Sequence, residues 1–173
     1  MPSVKTRSSL RFSALLGLLL SLPFSAPAFA LSFTDFSVDA TVSWVDTGIL
    51  IGIGDQIDMT ATGLASGGSI FNGPEGDGGP CITCIAPVPA SHYALVGRIG
   101  PGPGTEFLIG ASYSGIAAFA GTLYLAFNDD FHGDNAGSFL VSGTVIPEPT
   151  TALLLAAGLL GLGASRRWVR RTS

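Results

Sequence analysis

The basic residues of this 173-residue chain are swept to its two ends. Lys5, Arg7 and Arg11 stand at the start, Arg166, Arg167, Arg170 and Arg171 at the finish, and Arg98 alone lies between them. Residues 31–145 set eleven Asp and Glu against that one arginine, a formal net charge of about −10. A chain divided in this way predicts one acidic body between two apolar, positively flanked ends. A surface this acidic repels the phosphates of nucleic acid and anionic lipid, which excludes nucleic acid as a partner. Divalent cations and neutral ligands stay open. The roughly 115 residues of the middle suffice for one domain with a real core, and for no more than one.

The N-terminal end reads as a secretory signal over residues 1–30. Three cations precede an apolar run of about eleven residues, Phe12 to Leu22, the usual length of a signal core and short for a bilayer span. Ala28-Phe29-Ala30 then places small residues where a signal peptidase needs them, which favours cleavage after Ala30 over an uncleaved anchor. At the other end, Thr151 to Ala164 is free of charge and rich in Ala, Leu and Gly, and Trp168 and four arginines follow. Cations just beyond an apolar helix stay on the cytoplasmic side. A transmembrane helix over about 150–165, at the short limit for a span, is the expectation, with the mature domain outside the cytoplasm.

Val145-Ile146-Pro147-Glu148-Pro149, the apolar stretch and the cluster begun by Arg166 and Arg167 follow one another in order. The sequence over 146–171 closely resembles the PEP-CTERM sorting signal of Gram-negative bacteria, also called an ice-binding protein C-terminal domain. The resemblance implies recognition by a membrane exosortase, passage through the inner membrane, and release or attachment at the cell surface or extracellular matrix. Proteins with this signal accompany exopolysaccharide and biofilm matrix. The signal is an address and assigns no activity.

Between 31 and 145 no long 3.6-residue periodicity appears, which leaves an all-β domain. Phe36, Val38, Ala40, Val42 and Trp44 alternate with polar residues, and Ile57, Met59 and Ala61 do so after the turn Gly54-Asp55. Further strands are expected at 92–99, 107–109, 122–127 and 138–145. Six to eight short strands of this kind predict an antiparallel β-sandwich. Residues 66–90, dominated by Gly, Pro, Ser and Asn, read as a long functional or mobile loop.

Two groups of side chains carry possible chemistry. Cys81 and Cys84 lie in the long loop, and in an oxidising compartment a local disulfide is the simplest reading. A redox-active pair would sit at a helix start, and zinc would need two more ligands where only His92 and His132 exist. The second group, Asn128 to Phe139, sets three carboxylates and two amides within eight residues, bent by Gly133. Such hard oxygens suit calcium, which takes six to eight of them in irregular geometry. A solvated acidic turn fits the same residues, because Asp, Asn and Gly are also the commonest turn formers.

Gly54-Asp55-x-Ile57, Gly63-Leu64-Ala65-Ser66 and Asn72 to Asp77 resemble the galactophilic calcium lectins of the LecA type. Ala94 to Gly100 and Leu123 to Phe139 continue the likeness, which spans about residues 45–145. The resemblance implies a small β-sandwich whose single calcium ion bridges protein oxygens and sugar hydroxyls. Carried over by position, Asp129, Asp134 and Asn135 supply side-chain oxygens, and Gly67 and Phe131 supply backbone carbonyls. The loop between Asp129 and Asp134 is two residues shorter than in that family, so Asp130 stands as an alternative donor. The family's sugar-contacting His and Gln have no counterparts among Gly76–Thr83.

No constellation supports catalysis. A glycosidase needs two carboxylates about 5–10 Å apart across a cleft, a distance that Asp129 and Asp134 could satisfy but that many acidic loops offer. The Gly-rich stretch 97–104 lacks the lysine and helix of a phosphate loop. The expectation is therefore a non-enzymatic, calcium-dependent carbohydrate-binding module displayed at the surface. The alternatives are a structural or adhesive matrix protein and, with no flat repeated threonine array behind it, an ice-binding surface.

Overall fold

The computed structural model describes residues 29–86, 90–148, 158 and 159. The signal peptide expected over 1–30 lies outside these residues apart from Phe29 and Ala30. So does the expected C-terminal helix, apart from Gly158 and Leu159, which are helical. Among the described residues no helix is long and apolar enough to cross a membrane.

Residues 28–149 form one compact unit built from two four-stranded antiparallel sheets. The eight strands are β1 (Leu31–Asp39), β2 (Val45–Ile51), β3 (Gln56–Gly67), β4 (Leu95–Ile99), β5 (Glu106–Leu108), β6 (Ser112–Ile116), β7 (Gly121–Phe127) and β8 (Asn135–Ile146). The first sheet has the order β1-β8-β3-β6 and the second β2-β7-β4-β5. Side-chain alternation explains the sandwich. On β3, Ile57, Met59 and Ala61 turn inward and are buried while Thr60 and Thr62 stay exposed, and on β8 Phe139, Val141 and Val145 do the same. They meet Ile49, Ile51, Leu95, Ile99, Leu123, Leu125 and Phe127 of the other sheet. Phe127 and Phe139, both fully buried, tie the layers together with ring centres 5.9 Å apart.

The register of β8 on β3 positions everything that follows. Twelve residues pair without interruption, from Gln56 opposite Ile146 to Gly67 opposite Asn135. Positions 68 residues apart in sequence thus become neighbours at one end of the sheet.

Several expected strand boundaries shift. The alternating run from Phe36 to Trp44 is not one strand. Asp39 Oδ1 accepts the Thr41 N–H at 2.9 Å and the Thr41 hydroxyl at 2.8 Å, which folds the chain into a turn before β2 begins. Trp44 is left to stack on the Arg98 guanidinium, 4.3 Å from the ring centre. The strand expected from His92 starts only at Leu95, because Tyr93 has φ +68, which a strand cannot hold. β6, unexpected from the sequence, is an edge strand on β3 with alternate serines outward. β3 runs on to Gly67, two residues into the expected loop. Beyond it the described residues of the loop form no strand but are tied by isolated bridges between Ala65 and Asn72 and between Pro80 and Ser91. Its Ala86 and Ala90 pack with Val96 and Ala126 against the outer face of the second sheet.

Candidate functional site

Three segments meet where β3 ends. They are Gly67 itself, the Asn128–Asp134 connection from β7 to β8, and the His92-Tyr93 corner that leads into β4. Asp129 is a carboxylate at 4% exposure. Its Oδ1 accepts the Asp130 N–H at 2.8 Å and faces His92 Nε2 at 3.5 Å. The other nitrogen of that imidazole meets Asp77, with Nδ1 3.6 Å from the carboxylate. Asp129 Oδ2 lies 2.7 Å from where a β-carbon on residue 67 would stand, and the Tyr93 ring crowds the same point. Residue 67 must therefore be glycine for Asp129 to sit there.

Asn135, directly opposite Gly67 and 8% exposed, has the decisive geometry. Its amide donates to the Ala40 carbonyl at 3.0 Å. A carbonyl only accepts, so the bonded atom is the nitrogen and the free atom is the oxygen. That Oδ1 is buried and has no hydrogen-bond partner. Two other side-chain atoms share this condition among the described residues, Arg98 Nε and His132 Nε2. Asn135 Oδ1 alone of the three is a carbonyl oxygen. A buried oxygen left in this state costs about 1–3 kcal/mol.

Asp134 reaches the same region from the single 3-10 turn His132–Asp134, its Oδ2 3.8 Å from a β-carbon position on Gly68. The Tyr93 hydroxyl donates to the Gly67 carbonyl at 3.2 Å. Burial first, then the charges of Asp129, Asp77, Asp134 and Asp130, push that hydroxyl above the ordinary tyrosine range. The Tyr93 ring stacks between His92, 3.7 Å away centre to centre, and Phe127 at 5.5 Å. A tyrosine with positive φ is strained by about 1–3 kcal/mol, and here the stack and the hydroxyl bond hold it.

The remaining sequence candidates are placed differently. Asp130 is exposed and accepts the Thr83 hydroxyl at 3.1 Å, which turns it toward the disulfide loop. Among the described residues the carboxylates of Asp129, Asp130 and Asp134 do not gather as a triad. Phe131 precedes the turn in extended conformation with its side chain exposed. Asn128, one of the two amides of the cluster, faces away from it. Its Nδ2 donates to Ser91 O at 3.0 Å and its Oδ1 accepts the Ala86 N–H at 3.2 Å, stapling the long loop to the end of β7. Cys81 and Cys84 are joined in a disulfide. Their sulfurs and a His92 nitrogen lie within 4.8 Å of one another, but a disulfide sulfur is no thiolate and cannot bind zinc.

Sequence reasoning missed Tyr93, Ala40 and Asp77, and weighed His92 as a ligand for zinc. No pattern marks a tyrosine for positive φ. The Ala40 carbonyl becomes relevant only through the pairing that places it under Asn135.

At the far end of β8, Pro147 and Glu148 continue from Ile146 beside the turn between β2 and β3. Residues 145–167 match the PEP-CTERM protein-sorting motif. Such a motif marks an exported protein sorted to the surface or the extracellular space. Pro149, Arg166 and Arg167 of the expected signal lie outside the described residues. The β domain is similar to the N-terminal domain of EclA, a PllA-like lectin, with a TM-score of 0.52 and 27% sequence identity. The match covers 66% of this chain and 97% of that one. No curated protein matches the chain in sequence.

Proposed function

We propose that the β domain is a calcium-dependent carbohydrate-binding module on an exported, surface-sorted protein, with a polysaccharide of the cell surface or matrix as its partner. The observation that carries this reading is the buried, unpartnered oxygen of Asn135, whose strand partner Gly67 has the buried carboxylate of Asp129 2.7 Å from its β-carbon position. An uncharged acceptor left without a donor, next to a carboxylate in an acidic field, suits a cation. Asp129, Asp134 and Asn135 supply hard side-chain oxygens, and the Gly67 carbonyl faces the same end of the sheet. Phe131 is the proposed second carbonyl donor. The likeness to a PllA-like lectin supports the sugar half of the proposal.

The chain's own residues hold the donors in place before any ion arrives. The Ala40 carbonyl fixes the Asn135 amide, the Asp130 N–H fixes one oxygen of Asp129, and Gly67 leaves the room that a side chain would fill. A bound calcium ion supplies open coordination positions for vicinal hydroxyls of a sugar. The disulfide-closed loop contributes the adjoining wall through Thr83 and Asp130.

Isothermal titration of the mature chain with calcium tests the metal, and a glycan array with calcium and with EDTA tests the sugar. Absence of both heat and thermal stabilisation at millimolar calcium overturns the metal reading. Array silence in calcium overturns the sugar reading alone. The second reading, a structural or adhesive protein whose calcium only rigidifies the fold, is favoured by one observation: the Tyr93 hydroxyl already occupies the Gly67 carbonyl. Asp129→Ala separates the two. It abolishes glycan retention under the first and lowers only stability under the second.

A further inference from the structure

The other end of β8 carries an inference independent of the cation site. β8 pairs with β3 as far as Ile146 opposite Gln56, so the sorting motif leaves the sheet beside the turn Gly52–Asp55. Asp55 is a buried carboxylate at 8% exposure. Its Oδ2 accepts the Gly52 N–H at 2.7 Å, and its Oδ1 accepts the Glu148 N–H at 3.1 Å. The turn is itself anchored. Gly54 N–H donates to Ala117 O at 2.9 Å, and Ala117 N–H donates to Asp55 O at 2.8 Å.

Gly54 completes the arrangement. Its φ of +90 favours glycine, and a β-carbon there would stand 2.6 Å from Glu148 Oε2 and 3.3 Å from Glu148 Cβ. The space a side chain would take is occupied by the glutamate of the motif. Glu148 is thus held by its backbone N–H and received along its side chain, while remaining exposed on its outer side.

We propose that Asp55 and Gly54 form a seat for Glu148, which holds the sorting motif against the folded domain until the sorting enzyme draws it away. Asp55 acts here as a positioning residue. An enzyme that reads the Pro-Glu-Pro backbone as an extended strand needs the N–H that Asp55 holds, so the seat must open first. A hydrogen bond to a charged acceptor is strong enough to slow that opening by about tenfold or more. The seat stands on geometry alone. Its role in processing rests on the sorting-motif assignment.

Amide exchange of the full-length chain in detergent tests the seat. The Glu148 N–H is expected to exchange about tenfold more slowly than an unprotected amide. Asp55→Ala abolishes that protection, and Asp55→Asn, which keeps an oxygen acceptor, restores part of it. Gly54→Ala displaces Glu148 by collision. Gly48→Ala controls for backbone strain, because Gly48 has φ +69 with nothing within 4 Å of its β-carbon position. Pulse-chase in a host that carries the sorting enzyme then reads tail removal. Processing should be several-fold faster in Asp55→Ala and Gly54→Ala than in the wild type and Gly48→Ala. An unprotected Glu148 amide in the wild type overturns the seat. Protection with unchanged processing in both variants overturns its holding role. Absence of tail removal in every protein, wild type included, strikes the sorting assignment, and the amide measurement still decides the seat.

Discussion

Asn135→Ala tests the cation site sharply because it should be nearly silent until calcium is added. Without calcium the substitution makes two changes of opposite sign. It breaks the 3.0 Å bond to the carbonyl of fully buried Ala40, and stranding that acceptor costs about 1–3 kcal/mol. It also deletes the buried Oδ1 that has no partner, which relieves a penalty of about the same 1–3 kcal/mol. The net is about 1 kcal/mol in either direction, a shift of a few degrees in Tm for a domain of this size. With calcium the two proteins part. An ion that binds only the folded chain stabilises it by about 2.7 kcal/mol at one hundred times its Kd, which raises Tm on the order of 10 °C. The variant, short of one ligand, should rise far less at the same concentration. Circular-dichroism melts in EDTA and in millimolar calcium give all four values. A loss of about 3 kcal/mol or more in EDTA would show that the Asn135 oxygen is satisfied after all. Equal calcium shifts in the two proteins would remove Asn135 from the site.

Tyr93→Phe should flatten the alkaline limb of stability. The raised Tyr93 value means that the folded state keeps its proton longer than the unfolded chain does. Its contribution is fully present below about pH 10, the unfolded tyrosine value, and is lost as pH rises through the folded value. Melts from pH 8 upward should therefore fall more steeply for the wild type, with a residual slope from Tyr113, whose value burial also raises. Reduction of Cys81–Cys84 opens a loop of sequence separation 3, and for so short a loop the expected loss is about 2 kcal/mol or less by denaturant titration. A far larger loss would mean that the disulfide supports the sandwich and not just its loop. Phe139→Ala, which empties a fully buried site against Phe127, should cost about 3–5 kcal/mol in urea. A value below about 1 kcal/mol would contradict the packing of the two sheets.

Much of the sandwich was legible because burial on one face of a strand imposes a period of two. Ile57, Met59 and Ala61 advertise β3, and the apolar residues of β7 and β8 do likewise. Legibility failed where a local bond overrode the pattern. Asp39 captures Thr41 and ends β1 although the alternation runs on to Trp44. It failed again at β6, whose Ser112-Tyr113-Ser114-Gly115-Ile116 gains strand geometry only by pairing with β3. In the candidate site, the composition of residues 128–135 announced hard oxygen donors. It could not show that Asn128 is spent on Ser91 and Ala86, or that Asp130 turns to Thr83. The pairing of Gly67 with Asn135 is a consequence of a twelve-residue register fixed by the whole sheet. Tyr93 had no signal at all, since its conformation is imposed by its neighbours.

That same register gives the domain a direction. β8 begins at Asn135, inside the candidate cation site, and ends at Ile146, the second residue of the sorting motif. Eleven steps of an extended strand separate the two, roughly 36 Å at about 3.3 Å per residue. The end by which the chain is addressed and the end proposed to bind are therefore opposite ends of one strand. A protein held through residues beyond Glu148 would present Asp129 and Asn135 away from its point of attachment. Nothing in a binding function demands that a site and an anchor share a strand, but placing them at its two ends is the simplest way to keep a site clear of the surface that holds it. The two ends are also chemically separate, because no residue named at the cation site touches Asp55 or Glu148. Substitutions at Asp55 should therefore leave calcium and glycan binding unchanged, and substitutions at Asn135 should leave the exchange of the Glu148 amide unchanged.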